Sequence, residues 1–306
     1  MPFVMVHRKA LVALSIGLLG AAGCGRISLP ILNPSPDPPT VTPAPPTPTP
    51  EPLAASVNGE GILLEHFDLE LMRFEYSKTD SGIDLATLGA YQSELLDSMI
   101  DLVLLTQGAK ANGFNVEQTE IDDRLNLMIE SAEDRGEFEL WMELNGYTQE
   151  TLRTALAEEI EAAWMVAHLA GQVPDITEQV HARHILVASE AEVDELRAGL
   201  QDGADFDTLA RQYSIDASTR PAGGDLGWFP KGFLLWPEAE TAAFSFQPGE
   251  ISTVVKSEIG YHILEIIERE DRLLAYSVRQ SLGERAVESW LSTERVSADI
   301  QTFITQ

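Results

Sequence analysis

The sequence predicts an α+β protein in which helical chain both precedes and follows a mixed strand-and-helix domain. Three observations predict it. Apolar residues recur every three to four positions from Leu64 to Leu169. Between His181 and Glu268 the pattern changes to strand, helix, helix, loop, helix, strand. After Asp271 the helical spacing returns with Val278, Leu282, Ala286, Trp290 and Leu291.

The elements follow in order. Val57-Asn58-Gly59-Glu60 reads as a short strand and turn, and Leu64, Phe67, Leu71 and Phe74 then begin a helix. A second helix is predicted from Leu85 to Asn112, carrying Leu88, Tyr91, Leu95, Met99, Leu102 and Leu105, with Asn112-Gly113 as its stop. Thr119 is the expected N-cap of a third, running towards Arg135-Gly136. A shorter helix spans Glu137 to Asn145, and Thr148 caps a fifth with Leu152, Leu156, Ile160, Trp164 and Leu169. Five helices in succession predict an all-α unit over 54–177. Pro174 ends that register. The next domain, 178–270, has β-rich runs at His181–Val187 and Gly260–Ile267, and helices at Ala191–Gln201, Phe206–Tyr213 and Ala239–Phe244. Ala222–Lys231 is turn-rich, Gly249–Lys256 leads into a strand, and 271–306 is a C-terminal helix expected to pack on the first helical unit.

The N-terminus reads as a secretion signal over 1–23. His7, Arg8 and Lys9 precede the apolar run Ala10–Leu19, which is too short to span a bilayer, and small residues follow. LLGAAGC resembles a bacterial lipobox ending at Cys24, with Ala21 where such motifs favour leucine. Lipidation of Cys24 is therefore expected, and a plain signal-peptide cut nearby is the alternative. More than one acyl chain on that residue would anchor stably. Residues 24–53 are a linker: Pro34–Pro52 (PSPDPPTVTPAPPTPTPEP) lacks the N–H groups that helices and sheets need, and reads as an extended spacer.

Composition excludes several functions. With 49 acidic against 20 basic residues the net charge is −29, which repels phosphate backbones, so no nucleic-acid partner is expected. Cys24 is the one cysteine, so no intrachain disulfide can form. There is no nucleophile elbow, zincin His-Glu-x-x-His or phosphate loop. In HARHILV, alternation sets Ala182, His184 and Leu186 on one face; in GYHILEII, His262 shares a face with Leu264 and Ile266. Each histidine alone reads as a satisfied core residue. Two at matching depth on potentially adjacent strands suggest a pair. No third ligand has metal-binding spacing, so no metal or other cofactor is expected.

Six blocks carry a resemblance to a known family: Val180-His-Ala-Arg-His-Ile-Leu-Val, Phe206 through Asp216, Gly223-Gly224-Asp225-Leu226-Gly227-Trp228-Phe229, Ala242-Ala243-Phe244, Pro248 through Ser252, and Gly260-Tyr261-His262-Ile263. In order and spacing they resemble the parvulin peptidyl-prolyl isomerases over about ninety residues. The helices before them, the VNGE opening and the cysteine-bearing signal resemble the PrsA/SurA class of extracytoplasmic foldases. The resemblance implies a four-stranded antiparallel sheet wrapped by helices, inserted in or following a helical chaperone-like domain. It matches His184 and His262 to a hydrogen-bonded catalytic pair, Asp216 to a position near the substrate carbonyl, and Ser257 to a hydroxyl beside the second histidine. Leu235 and Phe244 match the proline-ring pocket. Read without the resemblance, Leu235 and Phe244 also fit a core, and Asp216 a turn or cap.

One position departs from the pattern. Family members usually place a pocket aromatic after the Pro-Glu of the last short helix, and here Pro237-Glu238 is followed by Ala239, with Trp236 nearby as a substitute. The resemblance thus implies an isomerase and chaperone for exported polypeptides, anchored by lipid outside a bacterial cell membrane. Ala239 keeps open a parvulin-fold chaperone with little catalysis. Ala188–Glu195 is acidic, so selection of phosphorylated substrates is not expected.

Overall fold

The computed structural model describes residues 51–132 and 134–304; the signal-like segment, Cys24 and nearly all of the Pro-rich stretch lie outside the described residues. The chain forms two compact units, one ending at Val166 and resuming at Leu291, the other Ala167–Trp290. The chain passes between them inside two helices, Gln149–Gly171 and Tyr276–Ser297.

The first unit opens on a hairpin of β1 (Leu53–Val57) and β2 (Glu60–Leu63). Its turn is Asn58-Gly59, both at positive φ (53° and 84°), the conformation an Asn-Gly turn adopts with least strain. Helices α1 (Leu64–Asp80), α2 (Tyr91–Ala111), α3 (Gln118–Ser131), α4 (Arg135–Leu144) and α5 (Gln149–Gly171) follow. Phe138, Trp141 and Met142 of α4 bury against Ile121 of α3 and against Leu152 and Leu156 of α5. The long helix expected from Leu85 is broken. Leu85–Thr87 is a 3-10 turn whose Ala86 amide donates to the Asp84 carboxylate, and Gly89 at φ 64° cannot continue an α-helix, so α2 starts at Tyr91. Leu85 and Leu88 mimicked helical spacing because a 3-10 turn also brings i and i+3 together. Thr119 is not the cap of α3. The helix begins earlier, with the Glu117 carbonyl accepting from Glu120 and Ile121.

The unit is helical but not all-α. Strand β7 (Ile300–Thr302), at the far end of the chain, pairs antiparallel with β1 to complete a three-stranded sheet in the order β2-β1-β7. Three residues show no periodicity, so nothing local announced β7.

The second unit is built on a four-stranded antiparallel sheet, order β4-β3-β6-β5: β3 (Ile176–Val187), β4 (Asp225–Pro230), β5 (Val255–Ser257) and β6 (Gly260–Leu273). One face, with Ile185, Val187 and Ile263, packs on α6 (Glu190–Gln201) and α7 (Phe206–Tyr213). The other, with Val180, Ala182, Leu264 and Ile266, packs on α8 (Pro237–Ser245) through Ala239 and Ala243. Both central strands run longer than their apolar runs predicted. Their extensions pair in register, and only the outer part, Ile176–Glu178 against Asp271–Leu273, leaves the core, where exposed and mostly polar residues hide the period of two. A bulge at Ile267 interrupts the pairing, since His181 pairs with Glu268 and Ala182 with Ile266. The final helix, α9, is Tyr276–Ser297.

Candidate functional site

Alternation along β3 and β6 turns His184 and His262 to the α8 face of the sheet, and register makes them neighbours. His184 pairs with Leu264, and Leu186 with His262, so the two histidines are diagonal partners on adjacent strands. Both are fully buried, and their Nδ1 atoms lie 3.4 Å apart. On the next strand Val255 pairs with His262 and Ser257 with Gly260, which places Ser257 diagonal to His262. Its Oγ is 2.7 Å from His262 Nε2.

Asp216 arrives from the loop after α7. Ser214 stitches that loop to β3: its Oγ accepts from the amides of Leu186 (3.2 Å) and Asp216 (3.3 Å), while the Ile215 amide donates to the Leu186 carbonyl at 2.8 Å. The Asp216 carboxyl then accepts four hydrogen bonds. Ser218 donates from its amide (3.0 Å) and hydroxyl (2.6 Å), Thr219 from its hydroxyl (2.5 Å), and His184 from Nε2 (2.7 Å). Burial works to raise its pKa, but the donors outweigh burial and hold the carboxyl well below the usual carboxylate range. It stays ionised.

The proton arrangement follows from that charge. An ionised Asp216 requires a proton on His184 Nε2. His184 Nδ1 is then bare and accepts from His262 Nδ1–H, and His262 Nε2 accepts from the Ser257 hydroxyl. Each contact has one donor and one acceptor, and both imidazoles are neutral. Burial lowers the His184 pKa, with Asp216 only partly offsetting it. Burial, and then the neighbouring His184, push His262 down to about 4.

A close backbone contact holds the strand at His184. Gly224, at φ +83°, accepts from the His184 amide at 2.8 Å, and a Cβ at this position would lie 2.0 Å from the His184 carbonyl oxygen. Only glycine fits.

The apolar side chains expected around the site separate. Trp236 lies over the histidines, its ring 5.5 Å from that of His184 at 20° and 5.4 Å from that of His262 at 44°. Leu235 is not brought to the histidines; it faces solvent and is 75% exposed. Leu235 lies in a bend and turns outward, whereas the Trp236 indole, with more apolar surface to bury, lies over the sheet. Phe244 packs edge-on against Phe229 (6.1 Å, 79°) and lines a shallow pocket with Lys231, Glu240, Thr241 and Ser245. The histidines do not line that pocket. Ala239 is buried beneath, in the α8 core.

Sequence reading missed Ser214, Ser218, Thr219 and the support role of Gly224. Asp-x-Ser-Thr is an Asx-turn signature that could have flagged two of them. Among the described residues, no cluster of three or more His, Cys, Asp or Glu side chains is placed to hold a metal ion, and no helix is long and apolar enough to cross a membrane.

Comparison with known proteins bears on the same segment. Residues 177–268 match the rotamase family's PPIC-type PPIase domain. They form a parvulin domain. Over longer stretches the chain is similar to a foldase protein PrsA of Caldanaerobacter subterraneus, 35% identical over 180 residues (57% of this chain, 56% of the relative), and to a chaperone SurA of Bordetella avium, 40% identical over 150 residues (43% and 29%). The chain spans little more than half the length of the first of these relatives. A solved peptidylprolyl isomerase (PrsA) from Bacillus anthracis is 27% identical, covering 69% of this chain and all of its own, with a TM-score of 0.46. The matched segment holds most of the four-stranded sheet together with His184, His262, Asp216 and Ser257, which the sheet's register and the α7 loop bring into one hydrogen-bonded chain.

Proposed function

We propose that this chain is a peptidyl-prolyl cis–trans isomerase that also holds unfolded exported polypeptides. The observation that carries the reading is a buried, neutral histidine pair held between a hydroxyl and an ionised carboxylate on the α8 face of a parvulin sheet.

The chemistry asked of the site is modest. An Xaa-Pro bond crosses a barrier of roughly 20 kcal/mol, set by loss of amide resonance, in tens of seconds unaided. No bond to the enzyme is needed. The site must bind the twisted amide better than either planar form. A planar amide carries negative charge on its oxygen; rotation removes it. The Asp216 carboxylate, held ionised beside the site, disfavours the planar form's charged oxygen and leaves the twisted form unpenalised. Neutral imidazoles preserve that field, since a protonated His184 would cancel it. Ser257 and His262 fix the orientation of His184.

The helical unit supports the second half of the reading, through the likeness to foldase and chaperone sequences beyond the parvulin segment. In this proposal residues 54–177 with the C-terminal segment 271–306 form the client-holding domain, and 178–270 the catalytic one. The signal over 1–23 directs export. Lipid on Cys24 and the Pro-rich linker tether the protein outside the cell membrane, with unfolded polypeptides as its partners.

The test is proline exchange NMR on a short Xaa-Pro peptide with Asp216→Ala in parallel. Acceleration that falls by about 10-fold or more in the variant supports the enzyme, general acid–base and electrostatic groups commonly being worth that much. A folded wild-type chain without acceleration would leave the alternative that Ala239 and the solvent-facing Leu235 favour, a parvulin-fold binding module with little catalysis.

A further inference from the structure

The loop between β4 and α8 is held more firmly than its exposure suggests. Glu240, in the first turn of α8, accepts from three successive amides: Gly232 (2.7 Å), Phe233 (2.9 Å) and Leu234 (2.9 Å). On the other side Arg285 of α9 donates to the Gly232 carbonyl. A carboxylate accepting several backbone N–H groups is a strong, charge-assisted latch. The latched segment runs directly into Trp236, the N-cap residue of α8, whose ring covers both histidines. Among the described residues it is the only Phe, Tyr or Trp ring stacked on the pair. Trp236 is half-buried, so part of the indole remains open to an incoming ligand. Ala239, one turn into α8 and 1% exposed, packs in the same cluster as Trp236, and its single methyl leaves room for the indole.

Resting on the isomerase reading, we propose that Trp236 is the ring against which the substrate's proline stacks, and that Glu240 is the positioning residue that holds it over the histidines. The proline-binding surface is therefore an arm reaching in from the loop. A proline ring is saturated and its C–H bonds are polarised by the adjacent nitrogen, so it stacks well on the electron-rich face of an indole.

The test is peptide isomerisation by the full chain, carried to saturation, for wild type, Trp236→Ala, Trp236→Phe, Glu240→Ala and the double variant Trp236→Ala/Ala239→Phe. Proline protons of the bound peptide are followed as well, because a ring stacked on proline moves them upfield. We expect Trp236→Ala to raise KM by about tenfold and abolish the upfield shift, as loss of one aromatic contact implies. Trp236→Phe keeps most of both, and Glu240→Ala moves both in the direction of Trp236→Ala while a merely structural role would leave the shift intact. The double variant brings KM part of the way back down, because the phenyl fills the volume the indole vacated. A wild-type chain that isomerises, with Trp236→Ala and Trp236→Phe both retaining KM and shift, would overturn the assignment of Trp236 alone. A wild-type chain that shows the shift without turnover would overturn the isomerase reading and support the contact.

Discussion

At the residue scale, the site is defined by where protons sit. His184 and His262 are buried without charge, and Asp216 is ionised beside them. That arrangement ties stability to pH with a definite sign. The unfolded chain protonates its histidines near pH 6.5, whereas the folded chain protonates His262 only at about 4. Between those values the unfolded state binds more protons, so stability is fully present above pH 6.5 and falls as the pH drops towards 4. The loss from His262 is on the order of 2–3 kcal/mol. Asp216 adds to it as the pH falls further, since its folded pKa is also depressed. Urea unfolding at pH 7, 5.5 and 4.5 reads the slope. The His262 ring protons should show no titration between pH 5 and 8; a midpoint near 6.5 would contradict the neutral pair.

At the element scale, the site depends on two close fits that hold separate elements together. In the parvulin domain, Gly224 lets the loop before β4 touch the backbone of His184. Gly224→Ala meets both a disfavoured φ and a backbone carbonyl that cannot turn aside. It should destabilise the domain by about 3 kcal/mol or more and lower isomerisation through His184. A change below about 1 kcal/mol would show that the loop relaxes freely. In the helical unit, Arg295 near the end of α9 donates to Asp101 (2.6 Å) and to the Asp97 carboxylate (3.0 Å) and carbonyl (2.6 Å) of α2. Arg295→Ala should cost about 2 kcal/mol, the scale of hydrogen bonds to charged groups, in denaturant unfolding followed by helical circular dichroism.

At the scale of the whole molecule, the first unit is assembled from both ends of the described chain. β7 pairs with β1, the Phe303 amide donates to the Ala54 carbonyl, and Asp299 and Asn58 exchange hydrogen bonds. The second unit is continuous in sequence. A chain ending at Trp290 should therefore keep the isomerisation proposed for the second unit, while its helical signal melts several degrees lower and less cooperatively. Unchanged melting would show that the closing strand and Arg295 contribute nothing to the first unit.

Much of this was legible in the sequence because it rests on local rules. Periodicity exposed the helices, Asn58-Gly59 its turn, and strict alternation put His184 and His262 among apolar neighbours before any pairing was known. Spaced motifs then extended that to Asp216 and Ser257. Other features were decided only in three dimensions. Register made the two histidines diagonal partners, and three serine and threonine side chains, with a glycine chosen for close approach, set Asp216 and His184. The choice between Leu235 and Trp236 was also tertiary, as was the pairing of β7 across some 240 residues. Sequence fixes what each residue can do within a few neighbours, since backbone preferences and side-chain periods are short-ranged. Which of two adjacent apolar residues faces a site, or which distant strand closes a sheet, depends on surface buried against partners that no local pattern names.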